Sequence, residues 1–173
     1  PEAVKRLAGK CARLLRHFIG EFYREFPTAA LAHCPQTWSP PELGPWVSND
    51  ECGMMSVAMF EEFLLPELIE LSEAFGGVGM HCCADADHQF PSFRRVPSFY
   101  AFNRCVTHRG QGYDEMLRVL GGPDGPVFVP GALADDQVKM LLEQAPEGSR
   151  FIFHCPHQEV AEAQRWLERM RQL

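Results

Sequence analysis

His81-Cys82-Cys83 stands where a short apolar run, Val78-Gly79-Met80, gives way to an acidic turn, Ala84-Asp85-Ala86-Asp87-His88. Successive side chains of a strand point to opposite faces. His81 and Cys83 therefore share a face, and Cys82 turns to the other. An imidazole and a thiolate two residues apart at a strand end can grip one metal ion, and zinc takes such nitrogen and sulfur donors. A catalytic zinc keeps about three protein ligands and one open position. Cys155 is the expected third ligand, with His154 or His157 as its alternative. Asp85, Asp87 and His88 are placed to orient a ligating imidazole from behind. One of the two aspartates equally suits the N-cap of a following helix, and His88 is a further potential ligand. The alternative for Cys82, Cys83 and Cys155 is a role as small buried apolar residues, a common state of free cysteine.

Two more groups carry chemistry. Asn49-Asp50-Glu51 follows the apolar Pro45-Trp46-Val47. Adjacent acids at a strand end can act as a general base or hold a cationic group; a solvated loop is the alternative. Asn103-Arg104 can bind an anionic substrate group, because the guanidinium presents a planar donor fork to carboxylate or phosphate. A surface ion pair is the other reading of Arg104.

These residues need elements to position them. Pro1-Glu2 starts a helix, and Val4, Leu7, Cys11, Leu14, Leu15, Phe18, Phe22 and Phe26 recur at helical spacing until Pro27. The stretch from Thr28 to Trp46, with Pro35, Pro40, Pro41 and Pro45, reads as a long ordered loop carrying a short strand at Ala29–His33. Ser56 caps a second helix with Val57, Phe60, Phe63, Leu64, Leu68, Leu71 and Phe75 on its apolar face. Pro66 kinks or splits that helix, and Gly76-Gly77 ends it.

The rhythm then changes to four consecutive strand–helix units. Strands are expected at Val78–Cys82, Phe99–Phe102, Val127–Val129 and Arg150–His154. Helices are expected at Gln89–Arg95, Tyr113–Leu120, Asp135–Gln144 and Glu159–Arg171. Such alternation predicts an α/β fold with a parallel sheet and helices outside, its strands nearly all apolar because both faces are buried. Two architectures fit: an open doubly wound sheet, or part of an eight-fold βα (TIM-type) barrel. A complete barrel needs about 250 residues, so this chain of 173 supplies its C-terminal half. In both architectures ligands gather at the carboxyl ends of the strands. Those ends deliver His81 and Cys83, then Asn103, Arg104 and Cys105, then Pro130-Gly131, and last His154, Cys155 and His157.

Size and composition bound the function. One domain is expected over 1–173, with a helix and a long active-site loop in 1–55 and the βα region in 56–173. The chain opens at Pro1 inside a helix, which is read as an N-terminal truncation. A net charge of −7 excludes the basic footprint of a nucleic-acid binder. No apolar run approaches the ~20 residues of a membrane span, and no basic-then-apolar leader is present. Seven irregularly spaced cysteines, two of them adjacent, fit a reduced, cytoplasmic setting better than a disulfide framework. A half-barrel exposes apolar strand edges, which predicts homodimerisation or poor solubility.

The stretch Val47-Ser48-Asn49-Asp50-Glu51, Met55-Ser56, and Met59-Phe60-Glu61-Glu62-Phe63-Leu64-Leu65-Pro66 resembles the uroporphyrinogen decarboxylase superfamily. That family runs through an acidic "DD" strand end, a "SPEMF-EF-LP" helix, a "GG" and an "H-x-C-G". Here the last parts read Gly76-Gly77 and His81-Cys82-Cys83-Ala84, and Val96-Pro97-Ser98-Phe99-Tyr100-Ala101-Phe102-Asn103 resembles the family's "IP-l-xxxN" strand. The resemblance covers most of the chain, most specifically Asp50 to Asn103. It implies a βα barrel and one of two chemistries. The first is cofactor-free decarboxylation of uroporphyrinogen acetate groups, here with Asp50 and Arg104. The second is zinc-dependent methyl transfer between a corrinoid, carried by a partner protein, and a small-molecule thiol. In the methyltransferase branch zinc is held by H-x-C and a later cysteine, which maps to His81, Cys83 and Cys155, with Asp50 or Glu51 assisting protonation or substrate binding. The decarboxylase's C-terminal "LGHG" is replaced by Phe151-Ile152-Phe153-His154-Cys155-Pro156, which favours methyl transfer. A non-catalytic binding barrel is the remaining alternative.

Overall fold

Apolar side chains at alternate positions of five short strands, with amphipathic helices between them, generate the architecture seen in the computed structural model, which describes residues 1–29, 39–104 and 112–173. The order is α1 (Glu2–Glu25), β1 (Trp46–Ser48), α2 (Val57–Phe63), α3 (Leu65–Phe75), β2 (Val78–Cys82), α4 (Phe90–Phe93), β3 (Phe99–Arg104), α5 (Asp114–Leu120), β4 (Val127–Pro130), α6 (Asp135–Gln144), β5 (Arg150–Phe151) and α7 (Val160–Met170). Short 3₁₀ turns occupy Pro41–Leu43, Asp50–Met54 and Asp87–Gln89. The protein is thus α/β, and no helix among the described residues is long and apolar enough to cross a membrane.

All four strand pairings are parallel, and the sheet order is β1-β2-β3-β4-β5. The order never reverses, whereas a doubly wound sheet reverses at its switch point. The distribution of the core agrees. Val47, Met80, Phe102, Phe128 and Phe151 form one row across the sheet. They join helical residues including Ile19, Phe60, Leu71, Phe93, Met116 and Leu141 in a single cluster. The opposite face holds a separate small cluster of Trp46, Ala101 and Val129, with Tyr100 and Val127 packed on it and no helical member among the described residues. Among the described residues, the helices therefore pack on one face.

Local chemistry explains the element boundaries. Ser56 Oγ accepts the Met59 amide at 3.3 Å, as its N-cap role requires. The helical pattern from Val57 to Phe75 is split at Leu64 because Pro66 sits in the first turn of α3 and has no amide to continue the ladder of α2. Gly76 ends α3 in the left-handed conformation, φ 79°. Gly79 is a different case: the Trp46 indole lies over it, and a Cβ there would stand 2.6 Å from the ring. β1 and β2 pair closely because that position carries no side chain.

The expectations differ from the structure in three places. β1 adds a fifth strand ahead of the four repeating units, pairing Trp46 with Gly79 and Ser48 with His81. β5 stops at Phe151 instead of His154; its pairing with β4 covers only Arg150 and Phe151, and Ile152 adds one amide bond to Phe128 O. Neither Asp85 nor Asp87 caps a helix, since the turn at Asp87–Gln89 has Ala86 at its N-cap and α4 has Gln89. The strand expected at Ala29–His33 falls, beyond Ala29, outside the described residues, as does Cys105.

Phe93 is the hub of the core. Its ring meets those of Phe60, Phe90, Phe99 and Phe102 at centroid distances of 5.5–6.4 Å, and the side chain is fully buried. Phe93→Ala is expected to cost about 3–5 kcal/mol, read as a lowered denaturant midpoint in urea unfolding followed by circular dichroism.

Candidate functional site

The strand-end residues converge on a cluster built from β1 and β2. The alternation of β2 sends Met80 and Cys82 into the helix-covered core and leaves His81 on the opposite face. Cys83, just past the strand, returns to the side of His81. The turn following β1 brings in the third group: one ligand-type atom each from Asp50, His81 and Cys83 lie within 4.8 Å of one another. His81 is buried, Asp50 half-buried and Cys83 exposed. Cys82 meets Cys52 in the core, Sγ to Sγ 3.8 Å, while the Cys52 thiol donates to Asn49 O at 2.8 Å. The contact with Cys82, together with burial, pushes the Cys52 thiol up and holds it protonated.

Asp50 is tied in tightly. Its Oδ1 accepts the Cys83 amide at 2.7 Å, its Oδ2 accepts the Ser48 hydroxyl at 3.1 Å, and His81 Nε2 stands 3.6 Å from Oδ1. Burial pushes the Asp50 carboxyl up. The Cys83 amide and thiol, the Ser48 hydroxyl and the neighbouring imidazole outweigh it, so the group sits below its ordinary value as a carboxylate. The turn carrying Asp50 is itself clamped. Asn49 N bonds to His81 O at 2.9 Å, and the fully buried Gln89 donates to Cys52 O at 3.1 Å and Met55 O at 2.9 Å. On the far side of His81, Nδ1 makes a short hydrogen bond to Asn103 Oδ1, and Asn103 Nδ2 donates to Val129 O at 2.5 Å.

The other expected residues sit elsewhere. Asn103 faces His81 and does not open toward solvent; it is 1 % exposed. Arg104 is 2 % exposed, so its ion pair with Asp87, Nη2 to Oδ1 2.5 Å, is buried and not a surface contact. Its guanidinium also lies over the Phe90 ring at 5.1 Å. Glu51 is exposed, outside the cluster. His88 is turned away from the cluster, Nε2 to Met55 O at 2.8 Å. Cys155 is exposed, its thiol toward His157 O at 3.8 Å, and the structure does not bring it into the group of Asp50, His81 and Cys83. His157 pairs instead with Glu162 at 3.5 Å.

Sequence reasoning did not anticipate Gln89 or Ser48. A buried glutamine bonding backbone carbonyls of a loop more than thirty residues away leaves no local signal. Ser48 carries one, being two residues before an acid at a strand end. An apolar cleft of about 360 Å³ between α1 and α3 is lined by Ala8, Leu15, Leu64, Leu68 and Leu71, and also by Ser48 and Asn49. Asp50, His81 and Cys83 are not among its lining residues.

Comparison of the chain with protein-family models, with curated proteins and with solved structures found no match.

The donor set fits zinc. Imidazole, thiolate and carboxylate are its usual ligands, and bond lengths of about 2.0–2.3 Å place tetrahedral ligand atoms roughly 3.3–3.8 Å apart. The 3.6 Å between His81 Nε2 and Asp50 Oδ1 falls in that span, and the three ligand atoms together lie within 4.8 Å of one another.

Removing Arg104 leaves Asp87 without its cation and empties the space that the buried guanidinium fills beside Phe90. Arg104→Ala is expected to lower stability by about 3–5 kcal/mol, whereas Cys155→Ser, at an exposed position, stays within about 0.5 kcal/mol of the parent. Paired urea titrations distinguish the two.

Proposed function

We propose that this chain is the C-terminal half of a βα barrel of the uroporphyrinogen decarboxylase-like superfamily, and that Asp50, His81 and Cys83 hold a zinc ion serving methyl transfer between a corrinoid and a thiol. One observation carries the reading: His81 and Cys83 share a face at the end of β2 and meet Asp50 at the end of β1. Strand carboxyl ends are where parallel α/β sheets place their chemistry. The barrel assignment is supported by a sheet order without reversal and by helices on one face. The corrinoid partner rests on the family resemblance alone.

Zinc held by these residues supplies Lewis acidity that favours the thiolate form of a bound thiol. The chain's own groups do the rest. Asp50, held as a carboxylate by the Cys83 amide and the Ser48 hydroxyl, would be ready to join His81 and Cys83 around the ion. His81 is fixed from behind by Asn103. The decarboxylase reading needs Arg104 for a substrate carboxylate, and its burial against Asp87 favours the zinc reading instead.

Dialysis against zinc followed by metal analysis is expected to give roughly one ion per chain. His81→Ala, Cys83→Ser and Asp50→Asn are each expected to weaken binding by more than about tenfold, with Cys155→Ser close to the parent. A protein that binds no zinc, or binds it regardless of these substitutions, overturns the proposal. Assay of methyl transfer from a methylcorrinoid to a thiol, with and without chelator, tests the chemistry.

The half-barrel reading also requires a covering for β1, which among the described residues pairs with β2 alone, and for the outer face of α1, where Leu7, Leu14 and Phe18 are exposed. Light scattering on a sizing column is expected to show a dimer. Leu14→Glu with Phe18→Glu should shift it toward monomer, and a stable monomeric parent counts against a half-barrel.

A further inference from the structure

Ser48, His81, Asn103 and Val129 occupy one register row across β1, β2, β3 and β4. Hydrogen bonds link the last three: Asn103 Nδ2 donates to Val129 O, and His81 Nδ1 bonds Asn103 Oδ1. The polarity of this chain is forced. A backbone carbonyl only accepts, so the Asn103 atom facing Val129 is the NH₂ group. That leaves the Asn103 carbonyl oxygen facing the imidazole. It too only accepts, so His81 Nδ1 must carry the hydrogen. Whenever the ring is neutral, its lone pair is then on Nε2, the nitrogen that faces Asp50 at 3.6 Å.

We propose that Asn103 is a positioning residue that imposes the Nδ1–H tautomer on His81 and so makes Nε2 the nitrogen offered to a ligand at the Asp50–Cys83 side. The role rests on the site assigned above, but its first consequence is independent of any metal. Free histidine prefers the Nε2–H tautomer, so Nδ1–H must be enforced by its surroundings. The row supplies that enforcement from the sheet itself. Asn103 is 1 % exposed, and its amide is oriented by Val129 O, a rigid backbone group in the next strand. A metal-binding histidine held through its other nitrogen by a hydrogen-bond acceptor is a recurrent arrangement, and loss of that acceptor commonly weakens metal binding. What is particular here is that the acceptor is a neutral amide whose orientation is dictated by strand register. Asn103 therefore acts on the ligand through His81, without touching it.

The test uses the full chain labelled with ¹⁵N-histidine. Long-range ¹H–¹⁵N correlation on the metal-free protein is expected to show His81 protonated at Nδ1. In Asn103→Leu, which keeps the bulk and removes both hydrogen bonds, the ring is expected to shift toward Nε2–H with Asp50 as acceptor. Zinc affinity of that variant should fall by about 10–100-fold. Asn103→Asp separates positioning from structure. It keeps an acceptor at Nδ1 and loses the donor to Val129, so its melting temperature should drop while Nδ1 stays protonated and zinc affinity stays near the parent's. It also serves if Asn103→Leu does not fold. An unprotonated Nδ1 in the parent, an unchanged tautomer in Asn103→Leu, or parallel losses of stability and zinc affinity in Asn103→Asp overturns the inference. If the parent shows Nδ1–H but binds no zinc, the metal reading fails and the tautomer assignment stands.

Discussion

The parallel pairing of β2 between β1 and β3 is the constraint on which the rest depends. A strand hydrogen-bonded on both edges cannot rotate about its axis, so its alternation becomes a fixed sorting of side chains. Met80 and Cys82 go to the helix-covered core, and His81 goes to the other face. A slip of one residue would exchange them, burying an imidazole among phenylalanines. The small Gly79 under Trp46 allows β1 to approach closely enough for Ser48 to lie beside His81. The site is a consequence of this register.

The energetic weight sits on the opposite face. The rings of Phe60, Phe90, Phe93, Phe99 and Phe102 pack edge to face or tilted, joining α2, α4 and β3 into one unit. Apolar burial of this kind is the dominant favourable term in folding. It makes the sheet rigid enough to hold polar groups in unusual surroundings. Arg104 is one such group: taking a guanidinium out of water is tolerated because Asp87 and the Phe90 ring receive it. Arg104, expected as a substrate anchor, is held by Asp87 and so links β3 to the loop that follows β2.

Much of the fold was legible. Helical spacing located α1, the Ser56 cap located α2, and the glycine stop after Phe75 located the end of α3. The period-two pairing of His81 with Cys83 was legible for the same reason: it depends only on local geometry. The share of the site that came from elsewhere in the chain was not. Asp50 was a separate acid in a separate segment until β1 paired with β2. Cys155 carried the right chemistry but follows a strand that ends at Phe151, at the sheet's far edge from β1. Asp87 had the spacing of a helix cap, yet it pairs with Arg104, seventeen residues on, and leaves the N-cap position to Ala86.

What the sequence determined by itself was the set of elements and the chemistry of each strand end, because both follow from periodicity, caps and breakers acting over a few residues. Only the tertiary structure decided which strand ends meet. Strand order and register are set by long-range burial, and these put Asp50 beside His81, Asn103 behind it, and Cys155 outside the group.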